Sequence, residues 1–122
     1  MLNRRRFLVT TAVAAAGLAL AQEPSATVDE TELMKPGVLP EMALGNPDAK
    51  VKIVEYMSMT CSHCADFHNK TFEAIKAKYI DTGKVYFVLR EFPLDPLAAA
   101  GFMLARNAPG GKYFEVVARL FK

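Results

Sequence analysis

Residues 51–79 read VKIVEYMSMTCSHCADFHNKTFEAIKAKY, and their pattern changes at the two cysteines. Residues 51–56 are rich in β-branched side chains and predict a strand. From Cys61 to about Tyr79, apolar residues recur at steps of three or four, which predicts a helix with Thr60 as its N-cap. Cys61 and Cys64 therefore lie at the expected beginning of a helix that closely follows a strand.

The expected helix has an apolar face and a charged face. On the charged face, Asp66 precedes Lys70 by four residues, a spacing that favours an ion pair. Cys64 belongs to the apolar face and should turn toward the core, whereas Cys61 should remain exposed. The apolar face consists of Cys64, His68, Phe72, Ile75 and Tyr79.

A second strand is predicted at residues 85–92, which begin with an almost continuous apolar run typical of a strand covered on both faces. Strand, helix and strand in this order form a right-handed crossover with parallel strands, so the predicted fold class is α/β. A further helix should cover residues 95–106, and another should begin at Lys112. Because a sheet of two strands is rarely stable alone, residues 49–122 are predicted to form a truncated domain.

The N-terminus has the order of an export signal. Three arginines at positions 4–6 precede an apolar run, and the small-residue sequence Ala19-Leu20-Ala21 follows it. The apolar run is shorter than the roughly 20 residues that span a bilayer. A cleaved signal over residues 1–21 is therefore favoured over a membrane anchor. The order Arg-Arg-Arg-Phe-Leu at residues 4–8 also resembles a twin-arginine export signal.

Residues 22–48 contain four prolines and no sustained periodicity, which predicts an extended N-terminal arm with a short helical turn near residues 29–34. Residues 1–21 hold three of the 15 basic residues and none of the 13 acidic residues, so the remaining chain carries a formal charge of −1. Nucleic-acid binding would require a clustered basic surface, and this charge balance does not predict one.

The two cysteines are the candidate reactive residues. Thiol–disulfide exchange requires a thiolate, and an ordinary cysteine is mostly protonated at neutral pH because its pKa is about 8.5. Unpaired N–H groups and the helix dipole should lower the pKa of Cys61 at the first turn. His63 can add a donor or a positive charge. This pattern predicts a redox-active pair in which Cys61 is the nucleophile and Cys64 resolves the mixed disulfide.

Four segments together resemble the DsbA-type branch of the thioredoxin superfamily, which comprises bacterial periplasmic proteins that introduce or rearrange disulfides. The resemblance implies a thioredoxin-like fold in which the opening βαβ unit is followed by an inserted helical subdomain, which residues 102–122 would enter. It also implies a periplasmic location, exported protein substrates, a membrane partner that restores the disulfide, and no bound cofactor. The four segments are NPDA at 46–49, VKIVEY at 51–56, CSHCADFH at 61–68 and KVYFVLREFPL at 84–94.

Two features depart from that family. Ser62 stands where the family commonly has proline, and the residues between the cysteines tune the redox potential. The direction of exchange therefore stays open between an oxidase and an isomerase or reductase. The family also has a cis-proline loop in a C-terminal half that this sequence does not contain. A truncated, inactive relative is accordingly a further alternative.

Glu55 lies six residues before Cys61, where members of the resembled family place a buried acid beneath the active site. Burial there would favour its protonated form and suit it to carry a proton to or from Cys64. The alternative is a solvated strand carboxylate. His68, four residues past Cys64 on the apolar face, is expected to be a structural histidine.

A metal-binding module is the alternative from another class of function. The cysteines and histidines at positions 61, 63, 64 and 68 could hold zinc or copper. Structural zinc sites, however, usually take four ligands from two separated pairs. The sequence therefore predicts no metal site, and thiol–disulfide exchange is the expected function.

Overall fold

The strand–helix–strand order expected from residues 51–92 is present in the computed structural model, which describes residues 27–122. The predicted export signal lies outside the described residues. The described residues before Pro36 contain one helical turn, α1 (Glu30–Leu33). The Asp29 carboxylate caps this turn by accepting hydrogen bonds from the N–H groups of Thr31 and Glu32 at 2.8 and 3.3 Å. The short turn expected near residues 29–34 is therefore confirmed.

Residues 36–122 form a separate compact unit around a three-stranded sheet. The strands are β1 (Met42–Gly45), β2 (Val51–Met57) and β3 (Val85–Glu91), in the order β1-β3-β2. The predicted parallel pairing of β2 and β3 is confirmed, and β1 is antiparallel to β3. The sequence analysis missed β1 and placed its residues in the extended arm, because four residues without a β-branched side chain give no strand pattern.

Gly45 allows the end of β1 to approach β3 closely. Its φ of +88° lies in the left-handed region, which residues with a side chain rarely adopt. A Cβ atom at this position would lie 2.3 Å from the carbonyl oxygen of Val85. The pairing at this end of β1 therefore depends on the absence of a side chain.

The helical segment after β2 runs without a break over residues 62–80 but contains two π-helical turns. It consists of α2 (Ser62–Phe67), a π turn (His68–Phe72), α3 (Glu73–Ile75) and a second π turn (Lys76–Ile80). A π turn adds one residue to the helical repeat. As a result, Ile80 is 1% exposed in the core, whereas Tyr79, which the periodicity predicted to be inward-facing, is 38% exposed. The expected ion pair between Asp66 and Lys70 is confirmed at 2.7 Å.

Two further helices complete the unit, α4 (Pro96–Arg106) and α5 (Tyr113–Leu120), joined through a 3₁₀ turn (Pro109–Gly111). Asp95 caps α4 by accepting a hydrogen bond from the N–H group of Ala98 at 2.8 Å. Both helices agree with the sequence prediction. No helix among residues 27–122 is long and apolar enough to cross a membrane.

The core lies between one face of β3 and the helices. Val88, on the other face of β3, is also fully buried, as expected for a strand covered on both faces. Buried apolar side chains from β3, from the helical segment after β2, and from α4 and α5 form one cluster. It contains Met57, Phe72, Ile80, Val85, Phe87, Leu89, Phe102, Ala105, Tyr113, Val117 and Phe121.

A polar contact at the end of β3 fixes α4 and α5 to the sheet. The Glu91 carboxylate accepts two hydrogen bonds from Arg106 Nε, at 2.8 and 2.9 Å, and one from the Tyr113 hydroxyl at 2.9 Å. Burial and the hydrogen bond to Glu91 raise the pKa of Tyr113, so this hydroxyl stays protonated and remains a donor. Glu91 therefore joins three elements through a single carboxylate.

Replacing Gly45 with alanine should destabilise the chain more than the same change at Gly110, which also has a positive φ but has open space around it. Gly110→Ala is expected to cost about 1–2 kcal/mol from the left-handed backbone alone. Gly45→Ala should cost about a further 1–3 kcal/mol because the new methyl group overlaps the Val85 carbonyl. Urea unfolding measures both values, and equal losses would contradict the close approach of β1 to β3.

Candidate active site

Cys61 is the N-cap of α2. Its backbone is extended, with φ −86° and ψ 114°, and its Sγ accepts a hydrogen bond from the N–H group of Cys64 at 3.4 Å. The sequence prediction that Thr60 is the N-cap is wrong. Helix N-caps accept a hydrogen bond from the second or third helical residue, and here the sulfur of Cys61 provides the acceptor.

Thr60 instead connects the loop before the cysteines to the beginning of α4. Its hydroxyl donates a hydrogen bond to the Asp95 carboxylate at 2.6 Å. The hydroxyl of Ser58, a buried residue, accepts a hydrogen bond from the N–H group of Leu94 at 3.3 Å. The Phe92 N–H group donates to the carbonyl oxygen of Met57 at 2.8 Å. The loop at residues 58–60 is therefore held against residues 92–95, which fixes the position of Cys61.

The two thiols have different environments. A hydrogen bond from the Cys64 side chain lowers the pKa of Cys61, and the N–H group of Cys64 lowers it further. Burial raises the pKa of Cys64, and its hydrogen bond to Cys61 adds to that increase. Both residues are partly exposed and both are free thiols. When the pair loses one proton, the negative charge therefore resides preferentially on the sulfur of Cys61 and the remaining proton on that of Cys64.

His63 is the second residue of α2, and its side chain is exposed. Its backbone N–H group is among the donors that lower the pKa of Cys61. Its imidazole lies near enough to Asp66 to help lower the pKa of that carboxyl group, after the larger effect of Lys70. The structure thus places His63 beside the cysteines, with its backbone directed toward the Cys61 sulfur.

Glu55 lies on β2 and forms a buried pair with His68. The Nε2 atom of His68 is 3.0 and 3.2 Å from the two carboxylate oxygens of Glu55. The side chains are only 4% exposed for His68 and 15% exposed for Glu55. The sequence analysis treated the two residues separately, because a strand residue and a helix residue 13 positions apart show no periodic relation.

The Glu55 carboxylate also acts on the cysteines. Its negative charge contributes to the increase in the pKa of Cys64, after the larger effects of burial and of Cys61. The same charge partly opposes the lowering of the Cys61 pKa that the hydrogen bonds from Cys64 cause. Glu55 therefore lies within electrostatic range of both thiols and is not the solvated strand carboxylate considered as an alternative.

An apolar groove of about 350 Å³ lies beside the cysteines. Leu97, which is 73% exposed, and Leu104 form part of its wall. Met59 and Leu120 border both this groove and a shallower depression that includes Cys61. Met57, two residues before Met59, is 1% exposed and belongs to the core instead. The exposed apolar surface is thus continuous with the sulfur of Cys61.

Metal binding receives no geometric support in the described part of the chain. Within residues 27–122, no group of three or more histidine, cysteine, aspartate or glutamate side chains is arranged to hold a metal ion. The buried His68 nitrogen is directed toward Glu55. The cysteines and histidines considered as metal ligands in the sequence are therefore not grouped as a metal site.

Replacing Cys64 with alanine should raise the pKa of Cys61, because the largest stabilising contact of its thiolate is lost. Cys64→Ser is the matched control, since its hydroxyl keeps a donor near the same position and should preserve most of the lowered pKa. Ultraviolet absorbance of the thiolate as a function of pH gives both values. Identical titrations of the two variants would show that the Cys64 side chain does not stabilise the anion.

Several known proteins that this chain resembles are disulfide oxidoreductases by name. A Rickettsia bellii protein that carries the name of a protein-disulfide oxidoreductase is 54% identical over 52 residues, which cover 43% of this chain and 20% of that protein. A Bacillus cereus protein named for disulfide bond formation is 36% identical over 66 residues, which cover 50% of this chain and 31% of that protein. The matched stretches are thus less than a third of these relatives' lengths.

Solved structures and a family model agree with these similarities. Wolbachia pipientis alpha-DsbA1 has a TM-score of 0.68 and 40% identity, covering 77% of this chain and 47% of that one. A protein-disulfide isomerase from Novosphingobium aromaticivorans has a TM-score of 0.64 and 28% identity, covering 67% and 42%. The thioredoxin family model matches residues 38–122. The chain therefore belongs to the thioredoxin family and is a DsbA-like member of it.

Proposed function

We propose that this chain carries the redox centre of an exported thiol–disulfide oxidoreductase that forms or exchanges disulfides in other exported proteins. The observation that supports this function best is the hydrogen bond from the Cys64 N–H group to the Cys61 sulfur at the beginning of a helical segment. This contact stabilises a thiolate on a partly exposed residue. A lowered thiol pKa increases the thiolate fraction and makes the sulfur a better leaving group in exchange.

In the oxidising direction the reaction begins with a disulfide between Cys61 and Cys64. A substrate thiolate attacks the Cys61 sulfur, which forms a mixed disulfide and releases Cys64 as a thiolate that takes up a proton. A second substrate thiolate then attacks the substrate sulfur of this mixed disulfide and displaces Cys61. The substrate gains a disulfide, and its two electrons remain on the two cysteines of the protein.

The different environments of the two sulfurs favour this direction. A low pKa of Cys61 stabilises the reduced protein, and a stabilised reduced form makes its disulfide a stronger oxidant. Cys64 has a raised pKa and needs a proton acceptor when it attacks and a donor when it leaves. We assign that role to Glu55, and we assign to His63 the stabilisation of the Cys61 anion. A membrane redox partner would accept the two electrons and restore the disulfide.

The groove beside Cys61 suits an unfolded protein as the substrate. Met59 and Leu120 line both this groove and the depression that includes Cys61. An apolar segment flanking a substrate cysteine would bury these side chains while its thiol reaches Cys61. Binding of this kind is non-directional and tolerates many sequences.

Cys64→Ala should trap mixed disulfides between Cys61 and disulfide-containing substrate proteins, because the Cys61 thiolate opens a substrate disulfide and no Cys64 thiol remains to displace the bound substrate. Cys61→Ala should trap none, since the remaining thiol is partly buried and has a raised pKa. Non-reducing electrophoresis after incubation with an unfolded, oxidised test protein measures the adducts. Equal trapping by both variants would contradict the assignment of Cys61 as the nucleophile.

The redox potential of the wild-type chain distinguishes the direction of exchange. A value well above that of thioredoxin, which is about −270 mV, is expected for an oxidase. A value near that of thioredoxin would favour an isomerase or reductase. Failure of the wild-type chain to oxidise a reduced test protein, together with non-cooperative unfolding, would favour the inactive relative.

The proposed export signal is tested separately. Expression in a bacterium with an intact twin-arginine pathway should yield a processed protein that begins at Gln22 in the periplasmic fraction, because Ala19-Leu20-Ala21 provides the cleavage site. Replacement of the arginines at positions 4–6 by lysine should retain the precursor in the cytoplasm if the twin-arginine route is used. Processing that persists in this variant would indicate the general secretory route, and an unprocessed wild-type chain would contradict the cleaved signal.

A further inference from the structure

We propose that His68 is a positioning residue that holds the Glu55 carboxylate in place for proton exchange with Cys64. The inference deepens the proposed function, because it rests on Glu55 acting on the Cys64 thiol. It assigns to a buried histidine a role that its position on the apolar face of the helix does not reveal.

The contact between the two side chains restricts the carboxylate. One nitrogen, Nε2 of His68, lies within 3.2 Å of both oxygens of Glu55. A glutamate side chain without such a partner samples several rotamers, and its ordering has an entropic cost. In both the Nε2-protonated neutral form and the charged form, the histidine donates a hydrogen bond from this nitrogen. The pair can therefore persist whether or not His68 carries a charge.

Aromatic rings hold His68 in turn. Its ring centroid lies 4.8 Å from that of Phe72, 5.1 Å from that of Phe121 and 5.5 Å from that of Phe67. The Asn69 side-chain amide donates to the carbonyl oxygen of Phe121 at 2.7 Å, which keeps the end of α5 against the helical segment. The imidazole thus has little freedom to leave Glu55.

His68 is also the first residue of the π turn that follows α2. Turns of this kind change the direction of the following side chains and are frequent at functional sites. Here the turn leaves His68 and Phe72 buried on the same side of the segment. Because α2 begins at the reactive cysteines, one helical segment presents both the thiols and the histidine that faces Glu55.

The Glu55 charge affects the pKa values of titratable groups at α2 and α5. Its charge acts on Cys61 and Cys64 at the beginning of α2 and, as a minor cause, on Tyr113 of α5. Tyr113 is already held protonated by burial and by its hydrogen bond to Glu91. Cys64 also lies four residues, about one helical turn, before His68, whose Nε2 atom is hydrogen-bonded to Glu55. We therefore assign the proton exchange of Glu55 to Cys64.

The proton transfer to Glu55 can be followed in a mixed disulfide between Cys61 and a small thiol such as glutathione. The Cys64 proton passes to the Glu55 carboxylate, and the Cys64 sulfur attacks the Cys61 sulfur. The bond between Cys61 and glutathione breaks, and glutathione leaves as a thiolate. The disulfide of Cys61 and Cys64 forms, and the protonated Glu55 later returns its proton to solvent.

The test combines two measurements on four proteins: wild type, Glu55→Gln, His68→Phe and the double variant. The first measurement is the pKa of Cys61 in the reduced chain, read from thiolate absorbance. The second is the rate at which Cys64 releases glutathione from Cys61 across a range of pH. Each single substitution should lower the pKa of Cys61, since the Glu55 charge is removed or displaced, and should slow release about tenfold or more at neutral pH.

The double variant distinguishes a role of His68 in positioning Glu55 from a role in packing alone. If His68 acts through Glu55, His68→Phe should cause no further change once Glu55 is glutamine, so the two effects should be non-additive. His68→Gln retains a donor of similar reach and should restore much of the wild-type rate and titration. His68→Asn, which is shorter, should not. Additive effects, or equal behaviour of His68→Gln and His68→Asn, would overturn the inference.

Ile80→Val is the control for packing, because Ile80 is buried in the core at the other end of the same helical segment, 12 residues beyond His68. It should lower stability and leave the thiol titration unchanged. If His68→Phe does not fold, the comparison of His68→Gln with His68→Asn still decides the question. These assays need no protein substrate. Non-additive effects of Glu55→Gln and His68→Phe in a chain that does not oxidise protein substrates would reject the proposed function alone. Oxidation of protein substrates together with additive effects would reject the role of His68 alone.

Discussion

The hydrogen bond between the Cys64 N–H group and the Cys61 sulfur is the contact on which the chemistry of this protein depends. It exists because Cys61 occupies the N-cap position, where a helix leaves backbone N–H groups without partners. A sulfur anion at this position completes the helix, so the same contact stabilises the fold and the thiolate. The parallel pairing of β2 with β3 and the hydrogen bonds of the 58–60 loop hold the beginning of the helical segment in this position.

Burial separates the two sulfurs although they are only three residues apart. One helical turn carries Cys64 toward the core, where loss of solvent opposes its ionisation, while Cys61 remains at the rim. This difference shifts the pKa values of two identical side chains in opposite directions. The partly buried Glu55 carboxylate on β2 is paired with His68, and its charge contributes to the pKa shifts of both thiols.

The described fold corresponds to a portion of its structural relatives. Its match covers 47% of Wolbachia alpha-DsbA1 with a TM-score of 0.68. The polar contact of Glu91 with Arg106 and Tyr113 joins α4 and α5 to the sheet within this portion. The exposed leucines of α4 lie beside Cys61 and leave an apolar surface next to the redox centre.

Local patterns were sufficient to predict β2, the helical segment, β3, α4 and α5, since each follows from side chains a few positions apart. The cysteine pair after a strand also identified the candidate site without structural information. Other features required the tertiary structure. β1 is too short to show a pattern and becomes a strand because β3 offers it backbone partners. The helical register changes at the π turns, where packing brings Ile80 rather than Tyr79 into the core.

The partners of the active residues were likewise decided by tertiary structure. Thr60 has the side chain of a good N-cap, but its hydroxyl donates a hydrogen bond to Asp95. Cys61 is the N-cap of α2 instead. The sequence alone identified Glu55 as an acid on a strand and His68 as a histidine on the apolar face of a helix. Their pairing arises only when the crossover places the helical segment against β2. The sequence by itself determined which residues are the candidate reactive groups, because thiol chemistry belongs to the side chain. The tertiary structure decided which atoms stabilise them, because hydrogen bonds and burial depend on distances that a linear pattern does not contain.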